Sequence, residues 1–216
     1  MKIEKPIVAT NGTLSNPVNK IIECIYSRRA VRKYLKQPVD KMIIEQVVDA
    51  GRMAPSAMNR QTLNFHVLTN TALIKSFSKQ IGKAAIKGIT KMKAIEIGKS
   101  LISALLHPHD LSFFKEDDFV FHGAPVVIFI SAPIDSEWAG LDSGACAQNM
   151  MLAAKSLGLD TCPVGFAKFV GDTKMYSMLN IAKKEHVVLA VILGYGDEIP
   201  EVHLRKKDNL FFIEQE

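Results

Sequence analysis

The sequence lacks several features that would place it in a specialised class of protein. Its 216 residues contain three cysteines with no CxxC spacing, which argues against a disulfide framework and suits a reducing compartment. The N-terminus has no long apolar core, so we expect no secretory signal. The most apolar run, at 124–133, is far shorter than the roughly 20 residues of a membrane-spanning helix. These absences predict a cytoplasmic protein with no membrane partner.

Glycine-rich nucleotide motifs are also absent. Neither GxxxxGK[ST] nor GxGxxG occurs, so any bound nucleotide would be held through side chains rather than a glycine cradle. Acidic residues are outnumbered by basic ones, giving a net charge of +5. This excess favours anionic partners such as phosphates. No nucleic-acid-binding module is recognisable, so we expect no nucleic-acid partner.

We expect a single α+β domain over 1–216, with a central mixed or antiparallel β-sheet flanked by helices. The length suits one domain, and no repeat or linker divides the chain. Apolar runs predict strands at 62–69, 124–132, 159–164 and 186–195. Residues 1–14 show no periodicity, and we expect them to be peripheral.

Two predicted helix starts carry capping signals. Ser15 and Asn16 precede Pro17, which begins a helix that runs into Ser27-Arg28-Arg29. Its apolar face comprises Ile21, Ile22 and Ile25. Asp40 is expected to cap a second helix, which ends near Ala54 because a proline follows. The apolar set of the second helix is Ile43, Ile44, Val47 and Val48.

The region 71–106 is helical in pattern, with Ile74, Phe77, Ile81 and Ala85 at helical spacing. The opposite face carries a lysine stripe: Lys75, Lys79, Lys83, Lys87 and Lys91. We interpret this stripe as a solvated face rather than an anion-binding or membrane-surface patch. Three glycines, Gly82, Gly88 and Gly98, predict two or more helices rather than one rod.

Two further helices are predicted in the second half of the chain. Residues 137–157 are small or apolar nearly all round, which predicts a helix buried on all sides. Residues 171–179 are predicted to form a short helix. Between the helical regions, His107, His109 and Asp110 invite a metal site, but metal sites need three or four ligands from fixed elements. We therefore expect no metal.

Three arginines within five positions, in RRAVR at 28–32, stand on what the pattern indicates is the tail of a helix. A guanidinium group matches phosphate or carboxylate oxygens bidentately. Cations at a helix C-terminus are also common for electrostatic reasons alone. The turn PSAMNRQ at 55–61 carries Asn59 and Gln61, whose amides suit a heterocycle's hydrogen-bonding edge or a self-bonded loop. Together the segments suggest a ligand with an anionic tail and a hydrogen-bonding ring.

Four segments, in this order, resemble the FMN-dependent nitroreductase family. They are RRAVR at 28–32, APSAMNRQ at 54–61, the helix at 144–159 with CPVGF at 162–166, and LGY at 193–195 with a basic HLRK at 203–206. The resemblance covers about residues 20–207. It implies a nitroreductase-like fold and a homodimer in which each flavin site is built from both subunits. It also implies that a C-terminal extension, 208–216, reaches toward the partner.

The resemblance implies a set of FMN contacts. Arg28 and Arg205 would hold the phosphate, and Arg29 and the backbone of Ala30 would lie near the phosphate and ribityl chain. Arg32 would lie toward the N1/O2 edge of the flavin. The remaining implied cofactor-binding residues are Pro55, Ser56, Asn59, Gln61, Pro163, Val164, Gly165 and His203.

The implied activity is ping-pong hydride transfer from NADH or NADPH, through FMN N5, to an electron-poor acceptor such as a nitroaromatic or a quinone. No side chain need act as a general acid, so no catalytic residue is assigned. Two alternatives remain open. One is an FMN-binding protein that senses redox state without turnover. The other is a related enzyme that reductively dehalogenates a substrate or fragments flavin, which the variable lid region within 71–122 would decide.

Overall fold

The computed structural model describes residues 19–93, 118–206 and 208–213. Its helices are α1 (Lys20–Ser27), α2 (Lys41–Arg52), α3 (Thr71–Lys93) and α4 (Ala139–Ser156). Its strands are β1 (Asn64–Leu68), β2 (Val126–Pro133), β3 (Asp160–Val164) and β4 (Glu185–Gly194). Shorter 3-10 turns lie at Ala57–Asn59, Gly165–Asp172 and Tyr176–Leu179.

The described strands form one antiparallel sheet in the order β1-β2-β4-β3. β2 and β4 lie at the centre, which explains why they are the most continuously apolar segments of the chain. β1 and β3 are the two edges. The predicted α+β class with a central sheet is thereby confirmed, and the sheet is antiparallel.

The sheet is covered on both faces because successive residues of a strand point to opposite sides. Val127 and Phe129 of β2 face a core that includes Phe77 of α3. Ile128 of β2 faces a second core with α2 and α4, which contribute side chains such as Val47. The central strands are thus buried on both sides, and the helices hold the loops between them in place.

One of the two predicted helix caps is confirmed, and the other cannot be compared with the structure. Asp40 accepts a hydrogen bond from the Met42 backbone N–H over 2.7 Å and caps α2, as predicted. The predicted cap at 15–17 lies outside the described residues, and α1 is instead capped by Asn19, whose side chain accepts from the Ile21 N–H over 3.0 Å.

The predicted breaks at Gly82 and Gly88 are wrong, because α3 is continuous through both. A Cβ on Gly82 would lie 2.4 Å from Cζ of Phe119, and one on Gly88 would lie 2.7 Å from Cε1 of Phe169. The glycines therefore let aromatic rings pack against the helix backbone. Gly98 lies outside the described residues.

The helix predicted at 137–157 corresponds to α4, but it is not buried all round. Cys146 and Met150 face the core, whereas Leu141 is 66% exposed and Gly144 is exposed. The described residues of the chain cover only one side of this helix. The predicted short helix at 171–179 is also corrected: the region contains two 3-10 turns, the first of which already begins at Gly165.

Candidate functional site

The arginine-rich segment lies beside one edge of the sheet. Arg28 already has extended dihedral angles, with φ −61° and ψ 131°, and Ala30 forms a parallel bridge with Thr161 of β3. The backbone N–H of Val31 donates to the Thr161 carbonyl over 3.0 Å, and the Val31 side chain is buried. The interpretation as a helix tail is therefore wrong. The segment is extended and anchored to β3.

Two of the arginines set the electrostatic environment of β3. Burial raises the pKa of the Cys162 thiol above its usual value, and the guanidinium groups of Arg32 and Arg28 oppose that rise. Both cations therefore lie close enough to act on a group within β3. The backbone N–H of Arg32 donates to the Glu198 carboxylate, an acidic neighbour 166 residues away that was not evident from the local sequence.

The third arginine, Arg29, folds back onto the end of α1. Its Nη1 donates to the carbonyl oxygens of Tyr26, over 2.7 Å, and Arg28, over 2.8 Å. Its Nε is buried and finds no hydrogen-bond partner among the described residues. A buried donor without an acceptor is costly, so the described residues satisfy the Arg29 guanidinium only in part.

The segment after β4 joins the same edge. Tyr34 forms an antiparallel bridge with Gly196, and the N–H of Asp197 donates to the Lys33 carbonyl over 2.9 Å. This pairing brings three of the four family-like segments together: the arginines, β3 and the end of β4.

The end of β3 presents accessible backbone next to these cations. Pro163 and Gly165 are both exposed, and a Cβ on Gly165 would meet no atom within 4 Å. Proline has no backbone N–H to donate, so within a sheet it is tolerated on an edge strand. Pro163 and Gly165 are thus accessible at the end of β3, whereas Val164 between them is buried.

His203 and Arg205 are not held in this arrangement by the chain itself. They lie in residues 201–206, which are exposed and carry no regular secondary structure. The predicted partnership of Arg205 with Arg28 therefore stays a prediction.

The turn at 55–61 has an unusual backbone. Met58, Asn59 and Gln61 all have positive φ, between 50° and 52°. For residues other than glycine this left-handed geometry costs roughly 1–2 kcal/mol each, and such strain persists only where surrounding contacts enforce it. Asparagine tolerates the geometry better than most residues because its short side chain bonds locally.

Hydrogen bonds within the turn hold this geometry. The Gln61 N–H donates to Oγ of Ser56 over 3.0 Å, and Nε2 of Gln61 donates to Oδ1 of Asn59 over 2.9 Å. The self-bonding that the sequence left open is therefore present. It uses one half of each amide, which leaves the Asn59 amide nitrogen and the Gln61 amide oxygen as groups that a ligand can meet.

A cavity of about 580 Å³ adjoins this turn. It lies between the end of α2, the turn, β1 and the start of α4, and its lining includes Pro55, Ser56, Gln61, Asn64, His66, Asp142, Cys146, Asn180 and Glu185. Burial raises the pKa of Cys146 to about 11, so its thiol stays protonated near neutrality. Cys146 therefore behaves as a small core residue, as its position suggests.

One wall of the cavity is a row of hydrogen-bonded polar side chains from β1, β2 and β4. Nε2 of His66 lies 3.0 Å from Oγ of Ser131, which donates to Oε2 of Glu185 over 2.8 Å. Nδ2 of Asn64 donates to the other carboxylate oxygen over 2.9 Å. Burial lowers the pKa of His66, while a hydrogen bond to the Leu179 carbonyl and the Glu185 charge partly oppose this.

The sequence analysis did not identify Asn64, His66 or Asp142 as functional residues, although all three line the cavity. Asn64 and His66 alternate on β1, and Asp142 shares a helical face with Cys146 four residues later. A carboxylate on an otherwise small, apolar helix face was the available signal, since such groups are rarely buried without a purpose.

The two halves of the predicted site lie at opposite edges of the sheet. The turn precedes β1, whereas the arginines pair with β3, and β2 and β4 lie between these strands. Three strand spacings of about 4.8 Å put roughly 14 Å between β1 and β3. Within one chain, Asn59 and Arg28 therefore lie near different edges of the sheet.

The described residues contain neither a candidate metal cluster nor a helix suited to span a membrane. In residues 19–93, 118–206 and 208–213, no three His, Cys, Asp or Glu residues are grouped to hold a metal ion. His107, His109 and Asp110 lie outside these ranges. Within the same ranges, no helix has the length and apolar character to span a membrane.

Comparison with known proteins places these features in context. The family model described as "Nitroreductase family" matches residues 25–195. A 4-nitrobenzoate reductase of Pseudomonas putida is 30% identical over 208 residues, covering 81% of this chain and 84% of that protein. A nitrobenzene nitroreductase of Ectopseudomonas oleovorans is 30% identical over 205 residues, covering 84% and 89%.

The fold also has solved counterparts. A crystal structure of a nitroreductase with bound FMN from Bacteroides fragilis superposes with a TM-score of 0.71 at 23% identity. The match covers 91% of this chain and 100% of that one.

Proposed function

Since the chain belongs to the nitroreductase family, we propose that it is an FMN-dependent oxidoreductase that uses NADH or NADPH to reduce an electron-poor small molecule such as a nitroaromatic or a quinone. One observation carries the proposal: the pairing of Ala30 and Val31 with Thr161. It supports a phosphate-binding edge because it places Arg28 and Arg32 beside β3, whose end is open at Gly165.

The residues at this edge fit an FMN tail. Arg28 and Arg205 would hold the phosphate, since a guanidinium group binds phosphate oxygens through paired hydrogen bonds. The unpartnered Nε of Arg29 and the backbone of Ala30 would meet the phosphate or the ribityl chain. His203 would add a partial positive charge near neutrality.

The turn would supply the wall that meets the flavin ring. Asn59 and Gln61 each retain half an amide for hydrogen bonding, and Pro55 and Ser56 line the neighbouring cavity. On the opposite sheet edge, the exposed backbone at Pro163–Gly165 would approach the ring from the other subunit's side of the site.

We propose that the protein is a homodimer and that each site combines the arginine edge of one subunit, residues 28–32 beside β3, with the turn at 55–61 of the other subunit. The separation of the two edges within one chain supports this arrangement. So do exposed apolar side chains that no other described part of the chain covers: Ile21 on α1, Leu141 on α4, and Leu210, Phe211, Phe212 and Ile213 near the C-terminus. A second copy would bury them.

The chain's contribution to chemistry is position and charge. Bound FMN would supply two-electron transfer between a nicotinamide donor and the acceptor, which use one pocket in turn. Arg32 would stabilise the negative charge that the cofactor gains on reduction. No side chain of the site is needed as a general acid.

A visible spectrum of the purified protein, with identification of any released pigment, tests the proposal. We expect a yellow protein whose flavin absorbance bleaches when NADH or NADPH is added without oxygen and recovers on addition of a nitroaromatic or quinone. A protein that binds flavin but does not bleach would be a non-turnover flavoprotein. A preparation that stays colourless after incubation with excess FMN would contradict the proposal.

A further inference from the structure

The strained backbone geometry of the turn at 55–61 is held mostly by hydrogen bonds within the turn. Besides the side-chain bonds of Ser56, Asn59 and Gln61, the N–H of Asn59 donates to the Ser56 carbonyl over 2.9 Å and that of Arg60 to the Ala57 carbonyl over 3.2 Å. These bonds shape the turn but do not fix its place on the protein.

One hydrogen bond fixes that place. The backbone N–H of Ala57 donates to Oδ1 of Asp142 over 3.1 Å. Among the hydrogen bonds that the structure describes for residues 55–61, this is the one that leaves the turn, and it reaches 85 residues along the chain.

Asp142 is itself firmly placed. It is only 5% exposed, lies in the first turn of α4, and lines the cavity that the turn also borders. A carboxylate is favoured near a helix N-terminus by the helix dipole. The helix α4 packs closely against α2, where the Met150 side chain lies against Gly51. The acceptor for Ala57 is therefore part of the rigid core.

We propose that Asp142 is a positioning residue that holds the strained turn in the orientation in which Asn59 and Gln61 meet the flavin. The inference rests on the proposed function in that FMN is the ligand of the turn. Asp142 acts through the Ala57 N–H, which makes the carboxylate oxygen, rather than its charge alone, the required feature.

Three variants separate these roles. Asp142→Ala removes the acceptor. Ala57→Pro removes the donor while leaving the carboxylate, and the site accepts proline because it begins a helical turn and Ser56, with φ −129° and ψ 152°, has the extended geometry that a following proline requires. Asp142→Asn keeps a side-chain oxygen at the same position. Asp135→Ala, an exposed carboxylate preceding the same helix, is the matched control.

The first readout is the Kd of the full-length protein for FMN, from quenching of flavin fluorescence. We expect Asp142→Ala and Ala57→Pro to bind FMN about 10-fold to 100-fold more weakly, since each loses the hydrogen bond and leaves its remaining partner unsatisfied. Asp142→Asn is expected to stay within a few-fold of wild type, and Asp135→Ala to match it.

The second readout needs no flavin. Arg60 lies exposed in the turn, so the rate of tryptic cleavage after Arg60 in the FMN-free protein reports how firmly the turn is held. We expect faster cleavage in Asp142→Ala and Ala57→Pro than in Asp142→Asn or wild type, with thermal unfolding confirming that each variant is folded.

The two readouts distinguish the possible failures. If wild type does not bind FMN, the proposed function fails, and cleavage at Arg60 still tests the anchoring role. If wild type binds FMN and Ala57→Pro and Asp142→Ala bind it equally well, the inference is overturned. If Asp142→Ala does not fold, Ala57→Pro decides. Equal weakening in Asp142→Asn and Asp142→Ala would also overturn the inference, because it would show that the charge of Asp142 rather than its hydrogen bond is required.

Discussion

At the scale of single residues, the arginines of the segment differ in what they do. Arg29 is committed to the carbonyls at the end of α1, whereas Arg28 and Arg32 impose their charge on β3. The Nη1 group of Arg29 is thus held by backbone carbonyls of its own segment, whereas Arg28 and Arg32 are the arginines whose charge reaches Cys162 of β3. This difference was not visible in the sequence, where the three guanidinium groups are chemically the same.

We expect Arg28→Ala to weaken FMN binding by roughly one to two powers of ten, because a hydrogen bond to a charged group contributes about 1.5–3 kcal/mol. Titration of both proteins with FMN measures the difference. Lys36→Ala is the control, since it removes one exposed cation from the same region without touching the proposed phosphate edge. Equal affinity of Arg28→Ala and wild type would remove Arg28 from the site.

His66 predicts a pH dependence of stability. Burial lowers its pKa in the folded protein below the usual 6.5, so the unfolded chain binds more protons in the interval between the two pKa values. Stability is then full above pH 6.5 and is lost as the pH falls through the folded pKa. We expect the melting temperature to fall less on acidification in His66→Gln than in wild type.

The control for this experiment is His186→Gln, which replaces an exposed histidine on β4. Its melting temperature should follow that of wild type across the same pH range. A wild-type and a His66→Gln protein with parallel pH profiles would show that His66 is not the titrating group.

At the scale of elements, α3 shows how packing overrides local preference. Glycine inside a helix costs about 1 kcal/mol relative to alanine, and on that basis Gly82 and Gly88 predict breaks. The structure uses both to admit aromatic rings, Phe119 at one and Phe169 at the other. Those rings come from distant segments, so no local pattern could reveal them.

We therefore expect Gly82→Ala to destabilise the protein by about 1–3 kcal/mol, the usual cost of overpacking a core, although helix propensity alone would favour the change. The free energy of unfolding in urea measures this. Ser76→Ala, at an exposed position of the same helix, should be neutral or slightly stabilising. Stabilisation of the Gly82→Ala protein would show that Phe119 gives way freely.

At the scale of the whole molecule, the sheet order decides how a site can be built. Within one chain the turn lies beside β1 and the arginines lie beside β3, and on this geometry we base the proposal of a flavin site shared by two chains. This geometry makes a specific prediction about mixed dimers that a site within one chain does not make.

We expect Arg28→Ala and Asn59→Ala each to weaken FMN binding as homodimers. In a heterodimer of the two variants, one site combines both defects and the other combines intact Arg28 with intact Asn59. Co-expression with two different tags isolates the heterodimer, and FMN titration should reveal one site of wild-type affinity. If no such site is found, each site is built within one chain.

The candidate site was predicted from sequence to an uneven degree. The residue types and their order along the chain suggested an anion-binding segment and an amide-bearing turn, because guanidinium groups match phosphate oxygens and amides suit the hydrogen-bonding edge of a ring. The strands and the second helix cap followed from alternation and from Asp40. Asp142, His66 and Glu185 were missed, because their meaning comes from partners 50 or more residues away.

What the sequence by itself determined was local: apolar runs predicted the strands, and the chemistry of arginine, asparagine and glutamine suggested a ligand with an anionic tail and a hydrogen-bonding ring. The tertiary structure alone decided which strands are edges, which glycines admit a ring, and which carboxylate anchors the turn. The reason is physical. Periodicity and side-chain chemistry act over a few residues, whereas strand order and close packing depend on segments that meet only after the chain has folded.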